Sequence, residues 1–325
     1  MRQKFVKTNN VRLHLFEQGQ GPLVLLCHGF PEIGGSWRHQ LAALGKAGYH
    51  AVAPDMRGYG KSDCPVEINR YRLDELVADM ADLVRGLGYE RAVIAGNDWG
   101  ATVAWQAALT RSDVFKGVIG LGVPLMGPPP LPPTEIFPQT ATEIFYTLYF
   151  QEEGLAEAEL GRDVRLSLLK ILHAASGDAG PRDTSPPPPN PFGMLQKGQG
   201  ILGALPAPKK LPAWLPEADF EFLARAFEAT GFRGGLNYYR NLDHNWREQR
   251  ERSEQRVLVP ALYLVGERDT GLAIPGMREI IANMPALAPK LFKSALISGA
   301  GHWLQQEAPE QITREMLEFL SAINW

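Results

Sequence analysis

At 325 residues, 45% of them hydrophobic and 21% charged, the chain is long enough for one large domain with a smaller one inserted. That composition excludes a disordered or fibrous protein, and a formal net charge of -3 leaves no basic footprint for nucleic acid and no polybasic membrane patch. Cys27 and Cys64 are too few for a disulfide framework and match no zinc pattern, so a reducing, cytoplasmic setting is expected, without metal or cofactor.

The N-terminus lacks the apolar stretch of a signal peptide, and runs such as Leu23-Val24-Leu25-Leu26-Cys27 are too short to span a bilayer, so no membrane insertion is expected. Residues 5–8 and 11–16 flank Asn9-Asn10 and read as a hairpin whose turn tolerates positive φ. The run at 23–27 is apolar throughout, as in a strand covered on both faces. Similar runs recur at 50–54, 92–95, 118–121, 261–265 and 295–297. Between them, Leu73, Leu76, Val77, Met80, Leu83, Val84 and Leu87 share one helical face that ends near Gly88. Such alternation predicts an α/β fold, a mostly parallel sheet flanked by helices, with reactive groups in loops beyond the strands' carboxyl ends.

The alternation breaks between about residues 125 and 255. This interval starts with the proline-rich stretch 127–133 and holds helical patterns at 144–154, 157–174 and 217–230, with a second proline-rich spacer at 184–189. It reads as a helical cap over the sheet's carboxyl end, which divides the chain into core (1–124), cap (125–255) and core again (256–325).

Ala92 to Ala101 runs from a strand straight into a helix, with Gly96 and Gly100 around Asn97-Asp98-Trp99. This is the shape of a nucleophile elbow, a strained turn that lifts one side chain above the sheet. Asp98 stands where carbonyl-attacking hydrolases carry serine. A carboxylate is already ionised at neutral pH and can displace a leaving group from sp3 carbon, giving an alkyl ester that water must then hydrolyse. Read alone, Asp98 could also be a helix N-cap, a very common role for aspartate.

A base and an orienting acid change that balance. Of seven histidines, His302 follows the strand run 295–297 on a loop at the sheet's carboxyl end, and Asp269 holds the matching place after 261–265. The order Asp98, Asp269, His302 along the chain is that of the elbow-bearing hydrolases. Glu267 and Asp55 are the rival acids; Asp55 precedes the elbow and reads as a brace for its own glycine-rich loop. The oxyanion hole is expected from the backbone N–H groups of Phe30, in His28-Gly29-Phe30-Pro31, and of Trp99, with a rigid turn at Pro31. His28 itself is expected to be structural.

Together with Ser36-Trp37-Arg38-His39-Gln40, residues 55–62 and Gly301-His302-Trp303, these blocks resemble the soluble epoxide hydrolases of the α/β-hydrolase fold over nearly the whole chain. In the cap, residues 146–152 and 230–241 are similar to that family's two lid-tyrosine segments. The resemblance implies that Tyr146 and Tyr239 hydrogen-bond the epoxide oxygen, with Tyr149 and Tyr238 as alternatives. Tyr238 and Tyr239 lie about 100° apart on a helix, so both cannot face one site. Phe30, Pro31, Trp99, Phe145 and Trp303 are expected to line the substrate pocket. A small-molecule epoxide is the expected partner, and a homodimer the one further association considered. Asn97 departs from a common histidine and Glu153 from a common proline. The extra amino-terminal domain of the mammalian relatives, and its second activity, is not expected. A haloalkane dehalogenase would share Asp98 and His302, but has no use for two lid phenols. A catalytically silent ligand-binding fold is the third reading, and an esterase is disfavoured by the missing serine.

Overall fold

The computed structural model describes residues 1–325. Its main sheet has eight strands: β1 (Arg2–Lys7), β2 (Arg12–Gln18), β3 (Leu23–Cys27), β4 (His50–Pro54), β5 (Ala92–Asn97), β6 (Phe115–Leu121), β9 (Ala261–Gly266) and β10 (Leu291–Ile297). A two-stranded ribbon, β7 (Glu143–Phe145) with β8 (Met194–Gln196), lies in the interval between β6 and β9. The sheet order is β1-β2-β4-β3-β5-β6-β9-β10. Only β1–β2 and β2–β4 pair antiparallel; every later pair is parallel.

The apolar runs follow from burial on both faces. In β3, Leu23, Leu25 and Cys27 join one core cluster while Val24 and Leu26 join another on the opposite face; β5 divides Ala92 and Ile94 from Val93 and Ala95 in the same way. The first cluster meets helices α2 (Leu73–Gly86) and α3 (Trp99–Thr110), and the second meets α1 (Arg38–Lys46) and the last helix, Pro309–Ser321. The run at 295–297 proved to be the end of a longer strand. β10 is the sheet edge, so its Phe292, Ser294 and Leu296 face outward, and the polar Lys293 and Ser294 interrupt the apolar run.

Between β6 and β9 lie α4 (Leu155–Gly161), α5 (Val164–Ala175), α6 (Glu217–Thr230), α7 (Arg233–Arg240) and α8 (Leu242–Glu251), with shorter turns. The expected helix at 144–154 is instead β7 followed by the single turn Tyr146–Tyr149. The expected helix at 157–174 is two helices, because Asp163 caps the second by accepting from Leu166 N–H at 2.9 Å. This helical layer is tied to the core by specific bonds. Tyr238 O–H donates to Arg57 C=O at 2.9 Å, Asn241 Nδ2 to Ile68 C=O at 2.7 Å, and Leu73 N–H to Asn245 Oδ1 at 3.0 Å. No helix is long and apolar enough to cross a membrane.

Candidate active site

The turn after β5 has the strained geometry that its glycines predict. Asp98 sits at φ 53°, ψ -122°, a conformation rare for a side chain-bearing residue. The backbone tolerates it because strand and helix nearly touch. A Cβ on Gly96 would lie 2.0 Å from Gly100 O, and one on Gly100 would lie 2.1 Å from Cys27 O. Asp98 makes no side-chain cap bond to α3, so its carboxylate is free to point away from the helix, which removes the N-cap reading.

Two groups meet that carboxylate. Phe30 N–H donates to Asp98 Oδ1 at 2.9 Å, from a loop in which the Phe30–Pro31 peptide is cis. His302 Nε2 lies 3.4 Å from Asp98 Oδ2. The Trp99 N–H opens helix α3, where no residue of the preceding turn can accept it, and it makes no bond to the carboxylate. On its other side, His302 Nδ1 pairs with Asp269 Oδ2 at 3.0 Å. An ionised Asp269 can only accept, so the Nδ1 proton belongs to histidine and Nε2 is left to face Asp98. Asp269 is fixed by accepting Gly271 N–H at 2.7 Å. Burial alone would pull the His302 pKa down, but the charges of Asp269 and Asp98 and their hydrogen bonds raise it well above its ordinary value.

The rival residues have other work. Glu267 accepts from Ser298 and Gly299 at the surface. Asp55 accepts from Gly34 N–H and Lys61 N–H and pairs with His14, bracing its loop. His28 accepts Met56 N–H on Nε2 at 2.9 Å, so its proton lies on Nδ1 and is donated to Gly29 C=O. Burial pulls its pKa down to about 4, which keeps it neutral and structural.

Tyr146 and Tyr239 approach from the helical layer with ring centroids 5.9 Å apart. Tyr239 also stands edge-on to Trp99 at 5.2 Å and to Phe30 at 5.8 Å, directly over the elbow. Burial first, then the Asp98 charge, raises both phenols above their ordinary value, so both are held protonated as donors. The alternatives are spent elsewhere: Tyr149 O–H donates to Glu159 at 2.7 Å, and Tyr238 O–H to Arg57 as above.

The expected pocket residues divide into two kinds. Trp99 meets Tyr239, and Phe145 packs behind Tyr146 with centroids 4.9 Å apart. Phe30 and Trp303 are fully buried, and Pro31 is buried next to Phe30. Trp303 packs edge-on to His302 and gives its indole N–H to Leu172 C=O at 2.8 Å. A residue absent from the sequence reading, Phe192, closes the cluster. Its ring lies 5.4 Å from both Tyr146 and His302. Nothing in the sequence marks it, because the proline-rich loop that carries it has no periodicity.

Asn97 and Glu32 lie beneath the elbow. Asn97 Nδ2 donates to His302 C=O at 3.3 Å, so Asn97 supports the His302 loop through its backbone. Glu32 is a fully buried carboxylate that accepts from Gln305 Nε2 at 3.0 Å and Gln306 Nε2 at 2.8 Å. The available signal is the glutamine pair Gln305-Gln306 shortly after His302-Trp303, together with an acid two residues after Phe30. Burial pushes the Glu32 pKa up to about 7 against the lowering pull of Gln306 and His302. Unfolded, this group loses its proton near 4.5. Its contribution to stability is therefore full below that pH and is lost as pH rises through about 7, a change of roughly 3 kcal/mol. Glu32→Gln, which cannot ionise, is expected to remove that decline. Urea midpoints of both proteins at pH 5 and pH 8 check it, and equal pH dependence in the two would show that Glu32 does not titrate in this range.

Residues 22–309 match the family model described as alpha/beta hydrolase fold. The chain is 40% identical over 328 residues to epoxide hydrolase A of Mycobacterium tuberculosis, covering 99% of this chain and 98% of that protein. It is 37% identical over 319 residues to epoxide hydrolase 2 of Siraitia grosvenorii, covering 97% and 96%. Among solved structures, an epoxide hydrolase from an endophytic Streptomyces superposes with a TM-score of 0.93 at 39% identity, covering 98% of this chain and 95% of that one. Potato (Solanum tuberosum) epoxide hydrolase I gives 0.86 at 34% identity, covering 98% and 99%. With a family model over most of the chain and full-length relatives and structures at 34–40% identity, the chain belongs to the epoxide hydrolases of the α/β-hydrolase fold.

Proposed function

We propose that this protein hydrolyses epoxides to vicinal diols by way of a covalent ester on Asp98. The observation that carries this reading is the convergence of a carboxylate, its base and two protonated phenols on one cleft. Residues 125–255 act as the lid that brings the phenols down onto the core.

The epoxide oxygen accepts hydrogen bonds from Tyr146 and Tyr239, while Asp98 attacks a ring carbon from the opposite side. One C–O bond forms and the ring C–O bond breaks; the released alkoxide takes a proton from a phenol. His302, oriented by Asp269, then removes a proton from water, whose oxygen adds to the carboxyl carbon of Asp98. The N–H groups of Phe30 and Trp99 stabilise the resulting oxyanion. On collapse the expelled diol oxygen takes the proton held by His302, and the proton left on the Asp98 carboxyl passes to the phenolate, which restores phenol, base and a carboxylate carrying one oxygen from water. Trp99 N–H fits this role because no protein group accepts from it.

Two measurements test the reading. Turnover of styrene oxide should yield diol, while a chloroalkane should release no halide; halide release without diol formation would instead establish the dehalogenase reading. A single turnover in oxygen-18 water should leave the first diol unlabelled, because its new oxygen comes from Asp98.

The phenols give a third prediction. A hydrogen bond to a group gaining charge is worth about 1.5–3 kcal/mol, so Tyr146→Phe or Tyr239→Phe alone should slow ester formation by about 10- to 10²-fold. The double variant should slow it by about 10²- to 10⁴-fold with little change in ester hydrolysis. Rapid-quench mass spectrometry of the protein reads both steps. A double variant that alkylates as fast as the unsubstituted protein would remove the phenols from the mechanism.

A further inference from the structure

The nucleophile, base and acid of the proposed mechanism sit on the core, whereas both phenols hang from the helical layer on two separate segments. Tyr146 opens the single turn Tyr146–Tyr149, and Tyr239 lies on α7. A donor must stand within roughly 0.5 Å of its productive position, so two phenols that share one oxygen need their segments held in register. Edge-on contacts gather the rings: the Phe150 centroid lies 5.7 Å from that of Tyr146 and 5.0 Å from that of Tyr239. Apolar packing is non-directional, however, and does not set how far one segment slides past the other.

Hydrogen bonds set it. Gln151, half-buried, donates from Nε2 to Thr147 C=O and to Tyr239 C=O, both at 2.9 Å. An amide nitrogen carries two hydrogens, so one group satisfies both carbonyls at once. The first carbonyl belongs to the residue after Tyr146 and the second to Tyr239 itself. Arg240 answers from α7. Its Nε donates to Phe150 C=O at 3.0 Å and its Nη2 to Glu152 C=O at 3.1 Å. Each segment thus holds the backbone of the other with one side chain. Arg240 is fixed in turn, since its side chain is 2% exposed and meets Glu157 of α4 at 2.7 and 2.9 Å.

We infer that Gln151 is a positioning residue for ring opening, whose bridge sets the Tyr239 phenol against that of Tyr146 so that both reach one epoxide oxygen. Arg240 completes the lacing from the opposite side. Ester hydrolysis, run by His302, Asp269 and the oxyanion N–H groups of the core, makes no use of it. The inference rests on the covalent mechanism proposed above and on its two phenols.

Gln151→Met keeps the length of the side chain and removes both donors. A misplacement of about 1 Å costs up to about 10²-fold, and the variant should form ester about 10-fold more slowly in rapid-quench single turnovers. Hydrolysis of that ester should stay within about 2-fold of the unsubstituted rate. A Tyr239→Phe protein separates positioning from simple support. There no hydroxyl remains for Gln151 to place, so adding Gln151→Met should cost less than about 2-fold more. A residue that merely steadies the lid would cost the same in both backgrounds. Arg240→Lys keeps the charge beside Glu157 but gives up the fork that reaches Phe150 and Glu152, and should repeat the slow first step with normal hydrolysis. Unchanged ester formation in folded Gln151→Met, an equal fall in both steps, or an undiminished effect in the Tyr239→Phe background overturns the inference. Failure of the underlying mechanism is read separately, as absence of any protein-bound ester in the unsubstituted protein or as full-rate alkylation of Tyr239→Phe.

Discussion

Asp98→Ala is expected to lower kcat for epoxide hydrolysis by at least about 10⁴-fold, the scale lost when a covalent nucleophile is removed. The loss should lie in chemistry, since the phenols and the pocket that hold the epoxide are untouched. The variant should also keep its fold. The Asp98 side chain caps no helix, and its polar partners are Phe30 N–H and His302. Alanine at φ 53° carries somewhat more backbone strain than aspartate, a small cost against the intact fold. Thermal unfolding within a few degrees of the unsubstituted protein, together with chromatographic assay of diol, separates lost chemistry from lost structure. The same substitution removes an anion 3.4 Å from His302 Nε2 and should lower the imidazole pKa, a shift that NMR titration reads directly. Residual turnover near that of the parent would mean that water attacks the epoxide without a protein ester, and the mechanism above would fall.

The core of this fold is legible because burial on both faces of β3 to β6 fills the middle of each strand with apolar residues. The elbow is legible because its geometry admits only glycine at 96 and 100, and Asp269 and His302 because each follows such a run on the reactive side of the sheet. The helical layer was harder. Residues 143–145 pair with 194–196, some fifty residues away, so no local periodicity could identify that ribbon. Helix α7 contains Gly234-Gly235, poor helix formers kept by contact. A Cβ on Gly234 would lie 2.2 Å from Gly58 O, and one on Gly235 would lie 2.6 Å from the Phe30 ring. Tyr239 was assigned over Tyr238 by resemblance, and the reason is physical: the 100° step between them sends Tyr238 to Arg57 and Tyr239 to Trp99. The role of Glu32 is not legible in the sequence, because a sequence does not reveal that a charge is buried.

His302→Gln should stop the reaction at the ester. Carboxylate attack on a ring carbon needs no base, because Asp98 is already ionised, so ester formation should continue at a rate within about 10-fold of the parent. Hydrolysis needs a proton acceptor of matched pKa between water and Asp98, and glutamine offers none; that step should slow by at least about 10³-fold. Intact mass after mixing with excess epoxide should rise by one substrate mass per protein and stay there. The pH dependence follows from the charges. In the free protein Asp98 and Asp269 together hold the imidazole protonated above its ordinary range. Esterification neutralises Asp98, withdrawing one of those two supports, so the imidazole pKa falls at the moment a base is required. Hydrolysis in the unsubstituted protein should therefore rise with pH around a lower midpoint than the imidazole shows in the free protein. A His302→Gln protein that forms no ester would place the base in the first step and reverse this order. One that hydrolyses its ester normally would move the base elsewhere, with Glu32, whose proton feels the charges of both His302 and Asp98, as the next residue to substitute.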